Sequence, residues 1–113
     1  MPSPRPTLAD EIANLALSHH GVVEATSRWN TGPAWLLDSR EVMHLHGSDA
    51  VDLRLTRSVI RRLRSQLEAD SRVDLRAHVG DWIRIRFRRR SDLEFVSGLV
   101  DLAIDANRDP PGG

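Results

Sequence analysis

Between Val42 and Leu55 the chain alternates aliphatic and polar side chains on either side of Gly47-Ser48-Asp49. In a strand, residues two apart share a face. The stretch therefore reads as two antiparallel strands folded about that turn. Met43 and Leu45 point one way, and His44 and His46 the other. In the second strand Val51, Leu53 and Leu55 share a face, while Asp52 and Arg54 share the opposite one. With both aliphatic sides turned to the core, His44, His46, Asp52 and Arg54 occupy one polar sheet face.

The rest of the chain supplies elements to pack against that hairpin. Thr7 and Asp10 read as a helix start, and Leu8, Ile12, Leu15 and Ala16 repeat at helical spacing. His19 and His20 close this helix, with Gly21 as its stop. Val22–Thr26, Ala34–Leu37 and Glu41–His46 read as strands joined by turns, with Asn30-Thr31-Gly32-Pro33 as one turn cluster. Thr56 caps a second helix running to about Glu68, with Val59, Ile60, Leu63 and Leu67 as its buried stripe. Arg72–Leu75 and Asp81–Arg88 follow as strands; in the latter, Ile83, Ile85 and Phe87 face the core and Trp82, Arg84 and Arg86 the other side. Ser91 and Glu94 are spaced as a capping box for a third helix ending near Asn107. The order α-β-β-β-β-α-β-β-α predicts an α+β fold: an antiparallel sheet of about six strands with three helices against one face, or against one face and an edge. One domain over 7–107 is expected, with a flexible arm at 1–6 and a flexible tail at 108–113.

Composition narrows the function classes. There is no Cys, so disulfide and thiolate chemistry are excluded. No apolar run approaches the ~20 residues of a membrane span. A cytoplasmic protein is expected. The formal net charge is +0, and every basic residue is Arg. Twelve of these arginines fall within residues 54–90, against Glu68, Asp70, Asp74 and Asp81. Such asymmetry can mark an anionic partner, although charged surfaces are the ordinary condition of proteins. No phosphate-binding glycine loop, nucleophile elbow or zinc-protease motif is present.

Three readings of the polar residues follow. In the first, the face carrying His44, His46, Asp52, Arg54, Trp82 and Arg84 holds a small acidic or aromatic ligand. Trp82 offers stacking, and the arginines hold an anion. In the second, Arg57, Arg61 and Arg64 of the second helix, with the run Arg88-Arg89-Arg90, contact nucleic acid. Net neutrality and the lack of a binding motif count against it. In the third, the polar sheet face or an exposed sheet edge meets a partner or a second copy of the chain. His44 and His46 with Asp52 also form a minimal metal set, but a hydrogen-bonded polar face accounts for them more simply. No metal or cofactor is assigned. Trp29 and Trp35 read as the rim of the core.

His44-Leu45-His46-Gly47, the strand Val51–Leu55, the basic helix after it and Gly80-Asp81-Trp82-Ile83-Arg84-Ile85-Arg86 together resemble the small bacterial domain family labelled "luciferase family". The resemblance covers about residues 8–107 and includes the closing helix. This is a domain-of-unknown-function family distantly related to fungal luciferase. The resemblance implies oxygen-dependent catalysis for the fungal members alone. It also points to an acid and a histidine before the Trp strand, here Asp74 and His78. The element order further resembles YjbR/MmcQ-like proteins, in architecture without a shared motif.

Overall fold

The computed structural model describes residues 6–27, 32–76 and 80–108. Trp29, His78, the Asn30-Thr31 half of the expected turn, and most of the expected arm and tail lie outside these residues. The elements are α1 (Leu8–Leu17), β1 (Val22–Thr26), β2 (Pro33–Leu37), β3 (Arg40–His46), β4 (Ala50–Arg54), α2 (Arg57–Ala69), β5 (Val73–Asp74), β6 (Trp82–Arg86) and α3 (Leu93–Ala106). A short 3₁₀ turn, Arg90–Asp92, leads into α3. The fold is α+β, with the expected order. All six strands are antiparallel in one sheet, ordered β1-β2-β3-β4-β6-β5.

The aliphatic positions fall into register across three strands. Met43 pairs with Leu53 and Leu53 with Ile83; Leu45 pairs with Val51 and Val51 with Ile85. These residues join Trp35, Leu37 and Phe87 in a core closed by Ile12 and Ala16 of α1, Val59, Ile60 and Leu67 of α2, and Val96, Leu99, Val100 and Ile104 of α3. All three helices thus cover the same face, which among the described residues leaves the histidine side of the sheet without one.

Local chemistry fixes the joints. Thr7 Oγ1 accepts from the Asp10 backbone N–H, and the Asp10 carboxylate accepts from that of Thr7, both at 3.0 Å. His19 lies beyond the end of α1 and reaches Asp101 of α3 at 2.8 Å. The β2–β3 turn holds Asp38 and Ser39 at φ 51 and 68, the left-handed pair that matches strand twist in a two-residue hairpin. At α2, Thr56 takes φ 77, a rare setting for a β-branched residue. Its N–H donates to the Asp81 carbonyl at 2.9 Å, and the next N–H, of Arg57, to the Asp81 carboxylate at 2.8 Å.

Three local expectations are corrected. The expected Ser91–Glu94 capping box does not form. Asp92 instead ties down the 3₁₀ turn before the helix, accepting from the backbone N–H groups of Arg88 and Arg89 at 2.8 and 3.0 Å, and α3 begins at Leu93 with no side-chain cap bond. The strand expected over Arg72–Leu75 shrinks to Val73–Asp74, and the one expected over Asp81–Arg88 ends at Arg86.

Candidate functional site

The ladder from β3 to β6 assembles the second face. His44 sits opposite Asp52, Asp52 opposite Arg84, and Arg54 opposite Trp82. A β-bulge then adds a residue that simple alternation places on the other side. The β2–β3 register shifts between Trp35 and Leu36, so that Trp35 pairs with Met43 but Leu36 with Glu41. Val42 is the extra residue, and Val42 and Met43 are both buried in the core. The bulge re-aims the strand and delivers Glu41 to the face of His44.

The result is a buried chain of charge. His44 is 3% exposed and Asp52 0%. The His44 imidazole lies between two carboxylates, with Nδ1 3.0 Å from Glu41 Oε2 and Nε2 2.7 Å from Asp52 Oδ2. Arg84 closes the far side, with Nε to Asp52 Oδ1 at 2.8 Å and Nη2 to Oδ2 at 3.1 Å. These bonds push the Arg84 pKa above its ordinary value, against the opposing effect of burial. Ser27 Oγ donates to Glu41 Oε2 at 3.3 Å. Among the described residues, the two carboxylates thus meet one imidazole ring and one guanidinium.

The residues singled out from sequence divide into three groups. His44, Asp52 and Arg84 form the buried chain. His46 is exposed beside it, its Nδ1 3.3 Å from Arg84 Nη2, and pairs with Ala50 rather than with an acid. Trp82 packs its ring 5.0 Å from that of His44. Arg54 bonds none of these. It donates to Asn107 Oδ1 at the end of α3 and to Asp81 Oδ2 at 3.2 Å. Asn107 answers with an N–H bond to the Arg54 carbonyl at 2.7 Å.

Arg54 and Trp82 also border a pocket of about 370 Å³, together with Leu36, Ser39, Arg40 and Glu41. Arg40 and Glu41 were not singled out from sequence. A carboxylate beside a strand of alternating character carries no signal until the bulge is known. Among the described residues no group of three His, Asp or Glu side chains could hold a metal ion; the imidazole separates the carboxylates instead of joining them around a point. Of the second reading's arginines, Arg64 pairs with Glu68 at 2.8 Å and Arg90 with Glu11 at 2.5 Å. No described helix is long and apolar enough to cross a membrane.

An antiparallel sheet with helices on one side, and a charge-linked face with a ligand-sized pocket on the other, defines a small single-sheet α+β domain. The chain belongs to the luciferase family: residues 39–103 match the Luciferase domain model. That span runs from the start of β3 into α3 and contains Glu41, His44, His46, Asp52, Arg54, Trp82 and Arg84. No curated protein and no solved structure matches the chain significantly.

Proposed function

We propose that this luciferase-family domain binds a small, acidic, aromatic ligand at the Trp82 end of its polar sheet face. The observation that carries the reading is the pocket bordered by Arg40, Arg54 and Trp82. Its volume falls in the range of small-molecule sites. Glu41, its acidic wall residue, is turned onto His44, and Arg54 is shared with Asp81, so the Arg40 guanidinium sets the sign of the pocket. A planar ligand stacks on the indole, and its phenolate, enolate or carboxylate oxygen meets Arg40 or Arg54. His44, Asp52 and Arg84 act from behind, holding Glu41 and Trp82 in place, while His46 marks the outer rim of the face.

Titration with 4-nitrophenol tests this, because binding of the phenolate shifts its visible absorption band. Saturable binding is expected in the unmodified protein. Arg40→Ala and Trp82→Leu are each expected to weaken it by about tenfold, the equivalent of one good contact, with little change in melting temperature. Binding that both variants retain in full would place the ligand elsewhere. Nucleic acid is the less supported reading, since Arg64 and Arg90 are already paired with acids.

A further inference from the structure

We propose a second site, independent of the first: a cleft beside β5 and β6 in which Arg86, Arg88 and Arg89 bind a phosphate group. The cleft has a volume of about 670 Å³ and is bordered by these three arginines together with Arg72, Ser71 and Ser91. Its acids, Asp70 and Asp92, also line it, and both are already engaged.

Asp70 accepts from Arg72 Nε at 2.9 Å, from Arg72 Nη2 at 2.7 Å and from the Arg72 backbone N–H at 2.9 Å. Asp92 accepts from Arg72 Nη1 at 3.1 Å and from the backbone N–H groups of Arg88 and Arg89. These bonds hold both carboxyls below their ordinary pKa, the Arg72 side chain being the main cause at Asp70 and the Arg88 backbone at Asp92. Arg72 is further fixed by stacking 4.0 Å over the Phe95 ring. The Arg72 guanidinium and the two acids thus form a closed, rigid floor.

The other three guanidiniums are not balanced in this way. Arg86 has Asp74 at a distant 3.8 Å. Among the described residues, the Arg88 and Arg89 side chains reach no carboxylate; their backbones are the part that Asp92 holds. The cleft therefore sets four guanidiniums against two carboxylates, on a turn whose backbone is pinned. Guanidinium forks match phosphate oxygens in pairs, and the hydroxyls of Ser71 and Ser91 can donate beside them. A phosphate monoester, with a charge of about −1.5 to −2 at neutral pH, matches the surplus.

The surplus is local. In the adjoining pocket, which shares Ser71 and Arg86, Arg64 is matched by Glu68, and Asp74 accepts from the Arg76 backbone N–H and has the Arg86 guanidinium at 3.8 Å. Such an arrangement suits one compact dianion better than a long polyanion, whose track would need a continuous row of unmatched cations.

The test is calorimetric titration of the whole chain, in phosphate-free buffer, with inorganic phosphate and with phenyl phosphate. Both are expected to bind saturably at one site, which marks the phosphate group as the shared determinant. Tighter binding of phenyl phosphate assigns the cleft to an organic phosphate, and equal binding to the free ion. The double variants Arg88→Ala/Arg89→Ala and Arg88→Gln/Arg89→Gln are expected to weaken binding by about tenfold or more. Arg61→Ala, an exposed position on α2 outside the cleft, is expected to stay within about twofold, and thermal melts check that every variant is folded. Absence of saturable binding, or double variants that bind as the unmodified protein does, overturns the proposal. A short single-stranded oligonucleotide that binds far more tightly than phosphate, with a steep salt dependence, overturns it in favour of nucleic acid.

Discussion

Glu41 and His44 are three residues apart on one strand and yet meet at 3.0 Å on the same face. Strand geometry alone forbids this, because a separation of three puts side chains on opposite sides. The bulge at Val42 removes the conflict. It inserts one residue into the core side and thereby brings a second carboxylate to the imidazole.

That contact separates the two histidines in their expected behaviour. His44 is bonded on both sides, so His44→Leu leaves Glu41 and Asp52 as buried acids without the group between them. A loss of about 2–5 kcal/mol is expected. His46→Gln, at an exposed position, is expected to stay within about 0.5 kcal/mol. Urea melts of the two variants decide; equal losses would show that the pair acts as one unit.

Arg84 is expected to matter chiefly through Asp52. Arg84→Met takes the guanidinium from a carboxylate that is wholly buried and leaves His44 beside it, with an expected cost of about 3–5 kcal/mol. Replacing Asp52 by Leu in the same chain is expected to recover most of that loss. If the double variant is no more stable than the single one, the ion pair is not the source of the effect.

How far the sequence reached is visible in these residues. His44, Asp52, Arg84 and Trp82 share a face because alternation is enough to place them, and the core positions followed by the same rule. Glu41 was hidden because a bulge has no simple pattern in composition. Arg40 was hidden for a related reason: it opens β3 just after a tight turn and borders a pocket made jointly by five strands. The capping of α3 was misread because Ser91 and Glu94 have the right spacing, while Asp92 can serve two N–H groups preceding the helix at once.

The core assignment gives a plain stability test. Leu53 is buried between Met43 and Ile83. Leu53→Ala is expected to cost about 2–5 kcal/mol. A denaturant melt that shows much less would mean that the site collapses around the missing atoms.

Acid sensitivity should trace in part to Asp92. Its pKa is lowered in the folded chain, first by the Arg88 and then by the Arg89 backbone N–H. An acid with a depressed folded pKa contributes stability above its unfolded pKa, about 3.9, and loses it as pH falls through the folded value. Asp70 is lowered as well, mainly by Arg72, and acts in the same direction. Stability is therefore expected to be flat near neutrality and to fall below about pH 4. Melting temperatures measured from neutral to acid pH should fall less steeply in Asp92→Asn than in the unmodified protein.

The strand order β1-β2-β3-β4-β6-β5 carries a consequence for how the chain is made. During synthesis the first four strands emerge as a consecutive meander, with β4 as its temporary margin. Through that interval Asp52 has His44 beside it but no cation from β6, since Arg84 lies 32 residues further on. The ladder of β4 and the ion pair that neutralises its carboxylate are completed by the same late event, the arrival of β6 between β4 and β5. A ribosome-bound chain stopped before residue 82 would therefore present an unfinished edge and an Asp52 still lacking its Arg84 bonds together, and truncation in this region would remove the candidate site and the closure of the sheet in a single step.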